Sequence, residues 1–255
     1  MSPWLEQILM RVLPLGLRIG GVMTFMPFFS SEAIPARVKA GLTIALTAML
    51  YSICPAPNLT LTEAGWVRTV LSEAAIGLMM GLAVQFVFEG MQLAGQLAGA
   101  QFGFSLASII DPQTNIETPV LSVLHQMIAL LLFLTLDVHH WVLRAVIRSF
   151  DYLPVGTGFS AANVTHQLFR IAGSMWLIGV QVAAPLLLAT MLVDLTVGFL
   201  NKASPQFPAM FVGISLKSLI GYTVLAASLG LWPSILERDF AHAIGWTEQL
   251  LNLAK

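Results

Sequence analysis

Charge is scarce in this sequence. Asp, Glu, Lys and Arg make up 10% of its 255 residues, against about 25% in a soluble domain. So few charged side chains cannot cover a water-facing surface of ordinary polarity. The formal net charge is −1, from 12 basic and 13 acidic groups. That balance excludes the strongly basic footprint of a nucleic-acid-binding protein, so no nucleic acid is expected as a partner. Cysteine is almost absent. The single Cys54 cannot close an internal disulfide, and no Cys/His spacing forms a zinc site. No Ser/Gly/Pro-rich linker or long charge run divides the chain, which reads as one helical domain over residues 1–255. Arg11 and Arg18 both fall in the first apolar region, unlike a cleaved signal peptide.

Catalytic signatures are missing too. There is no His-Glu zinc motif, Gly-x-Ser-x-Gly elbow or phosphate-binding loop. Ser105 follows Gly103-Phe104, but no base lies nearby in sequence. Asp137, His139 and His140 sit together after an apolar helix. Adjacent histidines point about 100° apart on a helix, unlike the i, i+4 pair of a zinc protease. The trio therefore reads as a helix-end cap or an interfacial contact. No catalytic residue, metal or cofactor is expected.

What the sequence does hold is apolar. Hydrophobic residues make up 57% and the mean hydropathy is +0.82, which together with long charge-poor stretches predicts an all-α, polytopic membrane protein. A spanning helix needs about 20 mostly apolar residues to cross roughly 30 Å of hydrocarbon. Ile171 to Val193 is the clearest case, charge-free with Gln181 and Pro185 as irregularities. Val120 to Leu136 is apolar apart from Ser122, His125 and Gln126, and Ser218 to Leu236 is charge-free but contains Pro233. Val12 to Phe29 carries Arg18, while Ala40 to Cys54 is short and stopped by Pro55 and Pro57. Trp66 to Gly103 is too long for one upright span; it breaks, projects from the membrane, or packs within protein. A six-span reading can be drawn, but lysines and arginines fall on both of its sides and give no clear orientation.

The long third segment carries the most informative pattern. At 100° per residue, Gly77, Gly81, Gln85, Glu89, Gln92, Gly95, Gln96, Gly99 and Gly103 share a sector about 120° wide. Leu78 and Phe88 interrupt it, and Gly90 faces the other way. Glycines and amides meet lipid poorly. The stripe suits tight packing within the chain, a subunit interface, or the wall of a water-filled path. Arg18, Glu73, Glu89, Asp194 and Lys217 lie in or beside apolar segments. A charge at membrane depth costs about 2.5–3.5 kcal/mol even on insertion-based scales, so each should find a partner, a wet cavity or the interface. A structural ion pair is the plain expectation and a proton relay the sharper one. Of twelve methionines, Met79, Met80 and Met91 read as packing residues, with a flexible gasket around cargo as the alternative.

Collinear motifs give the sequence a family resemblance. Arg18-Ile19-Gly20-Gly21 precedes Pro27-Phe28-Phe29-Ser30 and Ile34-Pro35-Ala36-Arg37-Val38-Lys39. Glu73-Ala74-Ala75-Ile76-Gly77 and Gln92-Leu93-Ala94-Gly95-Gln96 follow, then Gly103-Phe104-Ser105-Leu106-Ala107-Ser108-Ile109-Ile110-Asp111-Pro112 and Pro119-Val120-Leu121. Later blocks are His139-His140, Ser149-Phe150, Leu153-Pro154-Val155-Gly156, Ala184-Pro185-Leu186, Gly198-Phe199-Leu200-Asn201-Lys202 and Pro205-Gln206. In this order the chain resembles the FliR family of flagellar export-gate proteins, homologous to the injectisome component SctT. It departs at Val138, where the family usually carries glycine, at Phe207-Pro208-Ala209-Met210-Phe211, where it has a leucine-led run, and at Gly213-Ile214-Ser215, where it has Gly-Phe-Pro and the second proline is missing here.

The resemblance implies a subunit of the flagellar type III export gate in the bacterial inner membrane, at the flagellar basal body. It implies FliP, FliQ and FlhB as partners, and helical hairpins wound into a channel for unfolded flagellar proteins. The segment from Gly103 to Val120 maps onto a plug. By that mapping Phe104, Leu106, Ile109 and Ile110 help seal the channel, while Asp111, Pro112 and Pro119 belong to the same loop. The alternative drawn from the embedded acids is a proton-coupled secondary transporter using Glu73, Glu89 or Asp194.

Overall fold

A computed structural model describes residues 3–30, 34–51, 63–102, 120–156, 161–204, 206 and 208–253. Among these, regular structure is helical throughout. Helix α1 runs Pro3–Phe25, followed by the one-turn α2 at Pro27–Ser30, α3 at Ala36–Tyr51 and α4 at Glu63–Gln101. Then come α5 at Val120–Thr135, α6 at Val138–Tyr152, α7 at Ala161–Ala203, α8 at Ala209–Ser228 and α9 at Trp232–Leu253.

Prolines set several boundaries. The first helix stops at Phe25 rather than running on to Phe29, because Met26 precedes Pro27 and a residue before proline is pushed out of the α region. The charge-free stretch Ser218 to Leu236 is not one helix either. It ends at Ser228 and tightens into a 3₁₀ turn at Leu229–Leu231 before α9 begins. Pro233 explains this: in a helix interior its ring would clash with the carbonyl four residues back, whereas the first turn of α9 tolerates it. Pro185, by contrast, is carried inside the 43-residue α7.

Helix α4 is continuous over 39 residues. At 1.5 Å per residue that is about 58 Å, nearly twice the hydrocarbon thickness. Three stretches among the described residues are long and apolar enough to cross a membrane: Gly65–Gln101, Phe169–Ala203 and Phe211–Gln249. The pair α5 and α6 makes a fourth if its break is disregarded. These lengths favour fewer spans than the six-span reading would need. Apolar Val12–Phe25 and the 16-residue α3 both fall short of about 20 residues.

The helices gather into two compact units, each discontinuous in sequence. One comprises Met1–Val87, Phe133–Gly173 and Asp239–Lys255; the other comprises Phe88–Leu132 and Ser174–Arg238. Helix α4 contributes to both. Ile19, Val22, Ile76, Met80, Val142 and Phe150 are buried in the first unit, where Ala83 and Ile171 also pack with Phe86 and Trp246. Ala98, Phe102, Leu121 and Leu186 form a cluster in the second, with Leu225 against it. Met79, Met80 and Met91 are all buried, as packing residues rather than an exposed gasket. The outside is apolar as well. Ile44, Leu131, Phe169, Leu188, Phe199 and Phe211 are 61–75% exposed, a surface suited to lipid or protein rather than water.

Candidate functional site

The first unit is organised around a buried cation. Arg18 projects from α1 with no exposed surface, and Glu73 from α4 is 1% exposed. Arg18 Nε donates to Glu73 Oε2 at 2.6 Å. Its Nη1 donates to Ser149 Oγ and its Nη2 to the Leu153 carbonyl, each at 3.0 Å. The guanidinium also lies 4.0 Å from the centroid of the Phe150 ring. The Ser149 hydroxyl in turn donates to the Val146 carbonyl at 2.6 Å. The fork geometry of arginine thus ties α1, α4 and the end of α6 at one point. Its charge is matched by a carboxylate, so the cost of burying it is offset locally.

Two glycines make this approach possible. A Cβ on Gly77 would overlap the Arg18 backbone carbonyl, and one on Gly21 would lie 2.7 Å from the Leu78 nitrogen. The Gly20-Gly21 turn of α1 and the Gly77 turn of α4 therefore meet backbone to backbone, as small-residue helix crossings in membranes do. Gly81 continues the contact, its Cβ position being 2.9 Å from the Val22 carbonyl.

The same stripe serves the second unit differently. A Cβ on Gly95 would sit 2.5 Å from Ser122 Cα and 2.7 Å from the Leu121 carbonyl, so α4 and α5 touch there. One α-helical turn away, Gln126 Nε2 donates to Gln92 Oε1 at 2.9 Å. Gly90, on the opposite face of α4, packs against Ile178. His125 is buried; its Nδ1 lies 2.7 Å from the Leu121 carbonyl and its ring 4.7 Å from that of Trp232. Of the remaining stripe residues, Gly99 is buried, Gln85 and Glu89 are half-buried, and Gln96 is exposed.

The other embedded charges also find each other. Lys217 Nζ on α8 lies 2.6 Å from Asp194 Oδ2 on α7, with the two side chains 19% and 54% exposed. Asp137 is the one non-glycine residue at positive φ among those described, with φ 54°, and it begins α6 without a side-chain cap. Its carboxylate lies 3.3 Å from His140 Nδ1 and 3.9 Å from His139 Nε2. The three groups converge within 4.8 Å at a helix start, where an anionic side chain is favoured by the helix dipole.

Gly103, Phe104, Leu106, Ile109, Ile110, Asp111, Pro112 and Pro119 lie outside the described residues. The residues flanking that segment are well placed. Phe102 and Leu121 belong to one buried cluster, and Phe102 also packs its ring on Gly221 and lies 4.6 Å from the Tyr222 ring. Phe102 and Leu121, on either side of that segment, therefore share one apolar anchor.

Sequence alone did not assign Ser149, Phe150 and Leu153 to Arg18, since they lie more than 130 residues away. The available signal was weaker. Ser149-Phe150 and Leu153-Pro154-Val155-Gly156 were among the blocks that carry the family resemblance, and an arginine inside an apolar helix demanded acceptors. The model of bacterial export proteins, family 1, matches residues 9–243.

The chain belongs to that family.

Individual relatives cover nearly all of it. The flagellar biosynthetic protein FliR of Escherichia coli (strain K12) is 29% identical over 249 residues, covering 98% of this chain and 95% of its own. FliR of Bacillus subtilis (strain 168) is 28% identical over 240 residues, 93% of both chains. FliR of Aquifex aeolicus (strain VF5) is 27% identical over 237 residues, covering 92% and 91%. For this export-family chain, the buried Arg18 centre and the α4 stripe fall inside the matched region.

Proposed function

We propose that this chain is a subunit of the flagellar type III protein export gate. In the bacterial inner membrane, at the flagellar basal body, it assembles with FliP and FliQ, with FlhB attached, around a channel for unfolded flagellar proteins. The observation that carries this reading is the end-to-end match to relatives named flagellar biosynthetic protein FliR. The large apolar exposure of α3, α5, α7 and α8 fits a chain that is completed by other membrane helices. The stripe then divides its work: Gly77, Gly81 and Gly95 serve packing within the chain, while Gln96 is left for a neighbouring subunit.

Residues 103–119 form the plug in this reading. Phe104, Leu106, Ile109 and Ile110 supply its apolar contacts, and the Phe102–Leu121 anchor holds its two ends. A closed apolar constriction blocks ions by dewetting. A proton-coupled secondary transporter is less well supported, because Glu73 and Asp194 are each held by a cation. Co-expression with FliP and FliQ followed by purification separates the two. The gate yields a stable three-component complex; a monodisperse single chain that drives solute uptake into vesicles would reject it.

A further inference from the structure

We propose that the cleft between α6 and α9 binds the phosphate of an anionic phospholipid headgroup. The cleft lies wholly within the first unit and has a volume of about 280 Å³. Trp141, Arg144 and Arg148 line it from α6, and Ile244, Gly245 and Glu248 from α9. Arg144 and Arg148 are four residues apart, so both guanidiniums stand on one edge of the helix. Gly245 has nothing within 4 Å of its Cβ position, which leaves the α9 wall open.

The electrostatics favour an anion. Arg144 is exposed and has no hydrogen-bond or ion-pair partner among the described residues. Arg148 is 63% exposed and meets Glu248 at 3.5 Å, a single long contact. Two cations thus face one carboxylate, leaving one positive charge in excess. Guanidinium groups match phosphate oxygens in bidentate geometry, and charge-assisted bonds of this kind are among the strongest available.

The helix carrying them has the form of an interfacial element. Val138, Val142, Ala145, Val146, Ser149 and Phe150 are buried on one face of α6. His140, Arg144 and Arg148 stand exposed along the other, with Asp137 and Asp151 exposed at the two ends of the same row. The Arg144–Arg148 pair with a half-buried tryptophan beside it suits headgroup level. The chain has stretches long and apolar enough to cross a bilayer, so a leaflet would supply phosphate beside this cleft at high local concentration. The cleft is large enough for a phosphodiester headgroup.

Native mass spectrometry of the purified full chain, with phosphatidylglycerol titrated against phosphatidylcholine, tests the assignment. Near a membrane each arginine is worth about a fivefold change in retention. The wild-type chain should prefer phosphatidylglycerol, and the R144Q/R148Q double variant should lose most of that preference while melting at the same temperature. Because Glu248 competes for Arg148, E248Q should raise retention without removing a cation. Addition of millimolar inorganic phosphate identifies the source. A preference that survives it supports the lipid, and one displaced by it overturns the lipid in favour of a soluble anion. No preference in the wild type, or an equal preference in both R144Q/R148Q and E248Q, overturns the site itself.

Discussion

At the scale of single residues, the chain resolves its charge problem by pairing. Arg18 with Glu73, and Lys217 with Asp194, form ion pairs at 2.6 Å. The sequence announced that such charges needed partners, because hydrocarbon penalises them. It did not say which, since pairing depends on which helices cross. Removing one partner of a fully buried pair strands the other, at a cost of about 3–5 kcal/mol. Arg18→Met should therefore lower the melting temperature of the purified chain sharply. Adding Glu73→Gln to it should recover part of the loss, because the stranded carboxylate is then gone. If Arg18→Met melts like the wild type, the cation is not structural. Lys217→Met should cost less than Arg18→Met, because Asp194 is half-exposed and can still reach water.

At the scale of helices, the glycine stripe becomes two separate crossings. Periodicity alone made Gly77, Gly81 and Gly95 one face of one helix, and the structure keeps them on it. Helix α4 passes from one compact unit to the other, however, so that face meets α1 near Gly77 and α5 near Gly95. No periodic pattern could reveal this division. Gly77→Val should destabilise by about 1–3 kcal/mol or more, since its Cβ meets fixed backbone rather than a flexible side chain. Gly41→Ala provides the control. Nothing lies within 4 Å of that Cβ, so the change should be neutral or stabilising by up to about 1 kcal/mol through helix propensity. Thermal unfolding of the two variants checks both. Equal melting temperatures would remove the close crossing.

Two helix ends set by proline were missed when apolar runs alone defined the segments. Pro27 ended α1 early through its effect on Met26. The split at Leu229–Leu231 was harder to see, because Pro233 sits within an otherwise uninterrupted apolar run. Reading that proline as a first-turn residue of a new helix would have placed the break. Composition did not carry that information, whereas the steric rule for proline did.

At the scale of the whole molecule, hydrophobicity fixed the class and left the number of spans open. Helix α4 is far longer than a bilayer is thick, while the apolar part of α1, Val12–Phe25, and the 16-residue α3 are too short. Apolar length therefore does not map onto spans one for one, and much of it faces protein. Among the described stripe residues, Gln96 is the exposed one. If it meets a neighbouring subunit, Gln96→Trp should reduce the yield of co-purified complex while leaving the melting of the isolated chain unchanged. Normal complex yield would place Gln96 away from any interface.

The central claim is that this chain helps close a protein-conducting channel. Ion conductance of the assembled complex in planar bilayers, with and without residues Phe104 to Ile110, tests it most directly. A closed gate predicts little conductance in the intact complex and a marked rise on deletion, with the Phe102–Leu121 anchor left in place. Unchanged conductance from a normally assembled deletion complex would contradict it.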